Sequence, residues 1–309
     1  MENYTSYQII GGMCMKILLI ILAIFIPSTL IAKADTSITS QIEKIELHIK
    51  EHEAAVTFLG LSEGEATLVQ GPNNENILIN VGGKGTKGEL EGWLSLYNVK
   101  EISTLILTND RQDLSYNNIS QLHTKYRIKE IITTPEHSKQ FAKSLDQSIP
   151  ISFISWGEGT RKEIIPNMTA EVEFAGNEQN EGMDIMLNFF KHNIFLMTSF
   201  SHRAEQTLLK KNIKDINVFK IPNSHKEDPI SDHFIQYLNP QISILFAGMR
   251  HELNSDILQD LHSIWSEVYF TKKHGTVTIK FTESNYEVIT IPAVVKKNSS
   301  NDHEKIHLI

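Results

Sequence analysis

Thr104-Leu105-Ile106-Leu107-Thr108-Asn109-Asp110-Arg111-Gln112-Asp113-Leu114 is an apolar run that passes directly into a short charged loop. An unbroken apolar stretch of this length reads as a strand buried on both faces. Loops that leave such strands are where α/β proteins place their chemistry. On the N-terminal side, Ala54 to Leu59, Ala66 to Gln70 and Asn76 to Asn80 read as three short strands. Ser62-Glu63-Gly64 and Gly71-Pro72-Asn73-Asn74 separate them with strong turn chemistry, which predicts an opening antiparallel sheet. Leu90, Trp93, Leu94 and Tyr97 recur at helical spacing over Glu89 to Tyr97.

Toward the C-terminus, strands alternate with helices. The pattern predicts helix Ile119 to Tyr126, strand Glu130 to Thr133, helix Ser138 to Leu145 and strand Ile151 to Ile154. A second block carries strands near Ala170 to Phe174, Ile185 to Phe190 and Ile194 to Thr198, with Lys191-His192-Asn193 as the turn between the last two. Helix Ala204 to Lys211, strand Val218 to Ile221, helix Ile230 to Leu238, strand Ile242 to Phe246, helix Asp256 to Trp265 and strand Thr276 to Phe281 follow. Asp228-Pro229 reads as the N-cap and first position of the helix before Leu238. Two αβ halves of similar order imply two sheets faced by helices, and no internal period suggests a solenoid.

The 309 residues carry 40% hydrophobic and 21% charged side chains, the composition of a globular chain with a full core. Residues 1–34 stand apart. Lys16 precedes an apolar run from Ile17 to Ile26, then Pro27-Ser28 and a small-residue site at Ala32-Lys33-Ala34, the layout of a secretory signal peptide. The run is short for a membrane anchor, which needs roughly 20 apolar residues, and an uncleaved N-terminal anchor is the alternative to cleavage after Ala34. Met15 is a candidate start, and Cys14 precedes the apolar run, unlike a lipid-attachment cysteine. The expected organisation is therefore leader 1–34, lead-in 35–53, one α/β domain 54–295 and a polar tail 296–309, with a secreted or extracytoplasmic location.

Losing Glu2, Lys16 and Lys33 with the leader takes 29 basic and 37 acidic residues to 27 and 36, a net charge of −9. That balance argues against a general binder of nucleic-acid phosphates. Cys14 is the single cysteine, so the mature chain has no disulfide, thiolate nucleophile or cysteine zinc site. Ser155-Trp156-Gly157-Glu158-Gly159 puts its serine outside the glycines and is no nucleophile elbow. Gly82-Gly83-Lys84-Gly85-Thr86-Lys87-Gly88 lacks phosphate-loop spacing.

Several segments resemble the metallo-β-lactamase fold, in particular the extracytoplasmic domain of ComEC-type competence proteins. Ala55-Val56-Thr57-Phe58-Leu59-Gly60-Leu61-Ser62-Glu63-Gly64-Glu65-Ala66 is similar to that family's opening strand and Gly-Gln-Gly-Asp turn. Ile77-Leu78-Ile79-Asn80-Val81-Gly82-Gly83 is similar to its Leu-Ile-Asp-x-Gly-Gly hairpin, with Asn80 in place of the usual aspartate. Thr104 to Leu114, Ile194 to Phe200, Val218 to Lys226, Ile242 to Gly248 and Lys273 to Ile279 continue the match in order. The resemblance implies a four-layer αββα metallo-β-lactamase-like sandwich, an α/β fold.

The resemblance also implies what is missing. Family members end the quoted strand in Thr-His-x-His/Asp-x-Asp-His, because two zinc or manganese ions need imidazoles and carboxylates converging from several loops. Here Asn109, Arg111 and Leu114 replace three of those ligands and Asp113 remains. A guanidinium repels a divalent cation. Met197-Thr198-Ser199-Phe200 puts phenylalanine at the metal-bridging position, and Asn223-Ser224 replaces the histidine pair that precedes His225. No metal and no cofactor is therefore expected. The expected lining of the former cleft is Asn109, Asp110, Arg111, Asp113, Ser199, Asn223 and His225, with Arg111 and His225 suited to an anionic small molecule. A partner in the cell envelope is the other expected occupant. The alternative is a divergent metal-dependent hydrolase, phosphodiesterase- or nuclease-like, holding zinc or manganese through Asp113, His202, His225, Asp228 and Glu252. His48 and His52, His233 and Asp232 read as solvated side chains, and Asp113 alone reads equally well as a loop-capping carboxylate.

Overall fold

The computed structural model describes residues 44–108, 116–144, 151–178, 180–222, 230–246 and 255–292. The leader, the polar tail and most of the loop residues named above lie outside them. Two sheets form between helices. The eight-stranded sheet runs β15-β14-β1-β2-β3-β4-β5-β6 and the seven-stranded sheet β13-β12-β11-β10-β9-β8-β7. In the first, β1 (Ala54–Phe58), β2 (Thr67–Gln70), β14 (Thr276–Phe281) and β15 (Tyr286–Ile291) pair antiparallel. Then β3 (Asn76–Ile79), β4 (Thr104–Ile106), β5 (Glu130–Thr133) and β6 (Ser152–Ser155) run parallel. The second sheet repeats the plan. Here β7 (Arg161–Ile165), β8 (Met168–Ala175), β9 (Met183–Phe189) and β10 (His192–Leu196) are antiparallel, and β11 (Val218–Lys220), β12 (Ile242–Leu245) and β13 (Glu267–Phe270) continue parallel to β10.

Strand alternation sets the layers. Val56, Phe58, Val69, Ile77, Ile79 and Ile106 face Ile185, Leu187, Ile194, Leu196, Val218 and Ile244 in the core between the sheets. The other faces of the first sheet, through Leu68, Leu78, Leu105 and Ile131, meet Leu90, Trp93 and Leu94 of α1 (Lys87–Leu96) and Ile119 and Leu122 of α2 (Tyr116–Tyr126). Phe195, Phe219 and Leu245 of the second sheet meet α4 (His202–Leu208), α5 (Asp232–Leu238) and α6 (Ser255–Ser263) through Ala204, Leu208, Phe234, Ile235 and Leu261. The remaining helices are α3 (Pro135–Ser144) and the single turn α7 (Thr271–His274). The layer order is helix, sheet, sheet, helix, as the alternation of elements predicts.

Some boundaries differ from expectation. The hairpin turn is Phe190-Lys191, not Lys191 to Asn193, because His192 already pairs with Phe189 and Phe190 takes the positive φ of a two-residue turn. The N-cap of α5 is Ser231, whose side chain accepts from Phe234 N. Glu205 in turn accepts from the Ser231 hydroxyl and amide, so the cap is tied to α4. β7, β13 and β15 carry no strong apolar signal, being sheet edges or next to one.

Candidate functional site

Parallel strands of both sheets end at one rim, and the inward-facing positions there turn from apolar to polar. Val218 points into the inter-sheet core, so Lys220, two residues on, points the same way. Its Nζ lies 2.6 Å from Glu65 Oε2 and donates to Met197 O at 2.8 Å. Only 3% of Lys220 and 6% of Glu65 is exposed, so this ion pair joins the two sheets away from water. Phe246 places its ring 6.0 Å from the same ammonium. Glu65 continues the inward register of Val69 and Thr67. Gly64 sets its height: it has φ +75, and a β-carbon there would meet Gly83 N at 2.2 Å. The turn is thereby pressed onto Gly82-Gly83, with Gly82 N donating to Glu65 O and Gly83 N to Glu63 O.

Asn80 fills the next position. Its backbone leaves β3 at φ 64, which turns the amide inward. Nδ2 donates to Glu65 Oε1 and to Thr108 Oγ1, both at 2.9 Å, while Oδ1 accepts from Thr108 N at 3.0 Å. Thr198 Oγ1 donates across to Thr108 Oγ1 at 2.9 Å. An aspartate at 80 would set a second carboxylate against Glu65; the amide gives that carboxylate a donor instead. Asn80 thus fits Glu65 and Thr108 as a unit.

Asp184 lies on the outer side of the second sheet, beside an irregularity between Val172 and Phe174. It is fully buried. Oδ1 accepts from Thr198 N at 2.6 Å and Ser199 N at 2.8 Å, holding the chain as it leaves β10. Burial pushes its carboxyl up to about 6, against the backbone donors of Ser199 and Thr198, which favour the charged form. Oδ2 meets no donor among the described residues and is the oxygen able to carry the proton. Past Ser199, Glu181 accepts from Ser201 Oγ at 2.6 Å and pairs with Arg203, which holds its carboxyl below the usual range despite burial.

Ser199 is the expected cleft residue that falls within the described structure. It is buried, and its Oγ accepts from Gly182 N at 3.1 Å. The cause is Asp184, which pulls the Ser199 amide inward. Asn109, Asp110, Arg111 and Asp113 of the loop 109–115 lie outside the described residues, as do Asn223, His225 and Asp228 of 223–229 and Glu252 of 247–254. His202 is exposed at the start of α4, with Nε2 2.8 Å from Gln206 Nε2.

A pair of divalent ions, which the sequence resemblance implies, needs carboxylates and imidazoles free to ligate. The described donor set does not fit one. The two buried carboxylates of the rim are engaged, Glu65 by Lys220 and Asn80, and Asp184 by two backbone amides on its Oδ1. Asn80, Thr108 and Thr198 offer neutral groups already bonded to each other. Among the described residues no three His, Cys, Asp or Glu side chains come together at metal-ligating distance.

No protein-family model matches the chain, and no curated protein matches its sequence. Solved structures do. The metallo-β-lactamase fold protein YhfI from Bacillus subtilis is similar with a TM-score of 0.53 at 11% identity, over 70% of this chain and 96% of that one. The fold is the metallo-β-lactamase fold. Zn2+-bound PqqB from Methylobacterium extorquens is similar at a TM-score of 0.49 and 8% identity, over 70% of this chain and 97% of that chain. In this metallo-β-lactamase fold the polar rim is assembled from Glu65, Asn80, Thr108, Asp184, Thr198 and Lys220. A lysine at an inward register position two residues after Val218 was the signal in the sequence that could have found it.

Proposed function

We propose that this chain is an exported metallo-β-lactamase-fold protein, ComEC-like in its motifs, that binds an anionic ligand at the rim and does not hydrolyse it. The observation that carries the reading is the engagement of Glu65 by Lys220, which neutralises the carboxylate that reaches the rim from the first sheet, with Asp184 Oδ1 held by backbone amides. Phe200 at the bridging position supports it, since a phenyl ring supplies no donor. Arg111, three residues past Thr108, supplies the anion partner: a guanidinium fork matches carboxylate and phosphate oxygens. The leader-like residues 16–34 support export.

Calorimetric titration of phosphate, nucleotides and anionic cell-wall fragments into wild type and Arg111→Ala tests the proposal. An anion that binds wild type and is lost in the variant is the expected result. Hydrolysis of any of these ligands, abolished by Asp113→Asn, overturns it in favour of a metal-dependent hydrolase.

A further inference from the structure

Among the described residues two large hydrophobic side chains stand in solvent, Phe190 at 44% exposure and Trp265 at 92%. Both occupy left-handed backbone, at φ 49 and φ 61, where glycine or asparagine sits at lower cost. Turn chemistry does not call for an aromatic ring at either position, and burial accounts for almost none of Trp265.

Register puts the two at one end of the sandwich. β10 to β13 run parallel, with Ile194 beside Val218, Val218 beside Ile242 and Ile242 beside Glu267. Trp265, two residues before Glu267, is therefore level with His192, and the Phe190-Lys191 turn lies just beyond. Three strand spacings separate them, about 15 Å. Lys220 closes the other end of these strands, so this end and the polar rim are opposite. The Phe190 ring stands edge-on against Phe189 at 4.9 Å and His52 at 5.9 Å between centroids, and the rest of it meets solvent.

The incoming chain arrives at the same end. Lys44 Nζ donates to Asn98 Oδ1 and Ile45 N to Leu96 O, ahead of the loop that enters β4, and His52-Glu53 lead into β1. The apolar run Ile17 to Ile26 stands upstream of this entry. Between the two rings the surface is polar: Asn239 and Gln241 are exposed, as are Lys191, Lys214, Asp215 and Glu267 with both signs of charge. A protein partner needs a contiguous apolar centre, which two rings so far apart do not supply. Separate aromatics on protruding turns suit the headgroup level of a bilayer, where each ring enters the acyl boundary and its polar neighbours stay among the headgroups. The mixed charges give no preference for an anionic surface.

We propose that this end of the domain rests on a phospholipid surface, with Trp265 and Phe190 as its anchors and the polar rim turned away from the lipid. The proposal does not rest on the anion reading of the rim.

Trp93 and Trp156 are buried and Trp265 is the third tryptophan, so one indole reports the contact. Full-length wild type, Trp265→Gly and Phe190→Asn would be mixed with phosphatidylcholine vesicles, plain or brominated on the acyl chains, with thermal unfolding as the check on folding. Trp265→Gly supplies the background of the two buried tryptophans. The expected result is a blue shift of the Trp265 emission on plain vesicles, quenching by brominated lipid and loss of access to acrylamide. Phe190→Asn should need about threefold or more lipid for the same quenching. Should Phe190→Asn unfold, the brominated-lipid quenching of wild type decides. Vesicle association that leaves Trp265 open to acrylamide and unquenched by brominated lipid, as insertion of the leader alone would give, overturns the proposal. So does a blue shift that needs no vesicles and grows with protein concentration, which assigns this end to a second copy, or quenching that folded Phe190→Asn leaves unchanged.

Discussion

Replacing Lys220 by methionine removes the ammonium and keeps the length of the stem. In wild type the charge is 3% exposed, 2.6 Å from Glu65 Oε2 and bonded to Met197 O. The variant leaves the Glu65 side chain between two sheets without its cation, with Asn80 Nδ2 as its remaining strong donor. Breaking one partner of a buried pair costs about 3 to 5 kcal/mol, whereas a solvent-exposed pair is worth about 1 kcal/mol or less. For a domain of this size that is a fall in Tm on the order of 10 °C. Guanidinium unfolding followed by tryptophan fluorescence reads it, since Trp93 and Trp156 are buried in different layers and report loss of both. The double variant Lys220→Met, Glu65→Gln removes the stranded charge and regains about 2 kcal/mol or more of the loss. A single-variant loss below about 1 kcal/mol, or a double variant no more stable than Lys220→Met, would refute the buried pair as the clamp between the sheets.

Three further outcomes follow from the same geometry. Asn80→Asp sets a carboxylate against Glu65 Oε1 and removes the donor to it, so stability falls by about 2 kcal/mol or more near neutral pH; the loss shrinks in acid, as denaturant titrations at two pH values would show. Asp184 is held at about 6 from an ordinary 3.8. The folded state therefore keeps the proton where the unfolded chain has lost it, and this group removes stability as pH rises from about 4 to 6. The full cost is about 3 kcal/mol above that window. Asp184→Asn keeps an oxygen for Thr198 N and Ser199 N, and the stability difference between it and wild type should grow in its favour across that window. Trp265 sits one residue past the cap of α6 at φ 61, with its amide bonded to His262 O and the Ser266 amide to Leu261 O, and is 92% exposed. Glycine is the residue that position favours, and Trp265→Gly should stabilise by about 1 kcal/mol in thermal unfolding.

Strands whose alternation carries two buried faces were legible. β5 and β14 fall on the expected residues, since Ile131 and Ile132, or Val277 and Ile279, have apolar partners in the core. β7 escaped notice because Arg161, Lys162 and Glu163 face solvent, and β15 because an edge strand with alternate residues half-exposed buries too little to leave a pattern. The α5 cap moved from Asp228 to Ser231 because Glu205, far away in sequence, bonds that serine. Substitutions in the loop motifs could be read one by one. Of the polar rim only Lys220 left a trace, as a lysine at an inward register position, because Glu65, Asn80 and Thr108 are unremarkable polar residues until the two sheets bring them face to face. The burial of Ser199 was likewise not legible, because it depends on Asp184, which holds its amide, and on Gly182, which bonds its hydroxyl.

The proposed reading has the chain hold neither zinc nor manganese. Elemental analysis of the purified full-length chain, expressed with zinc and manganese supplied, tests it directly. Well under about one-tenth of an equivalent of either metal per chain is expected after desalting. About one or two equivalents, lost on Asp113→Asn or His225→Ala, would contradict it.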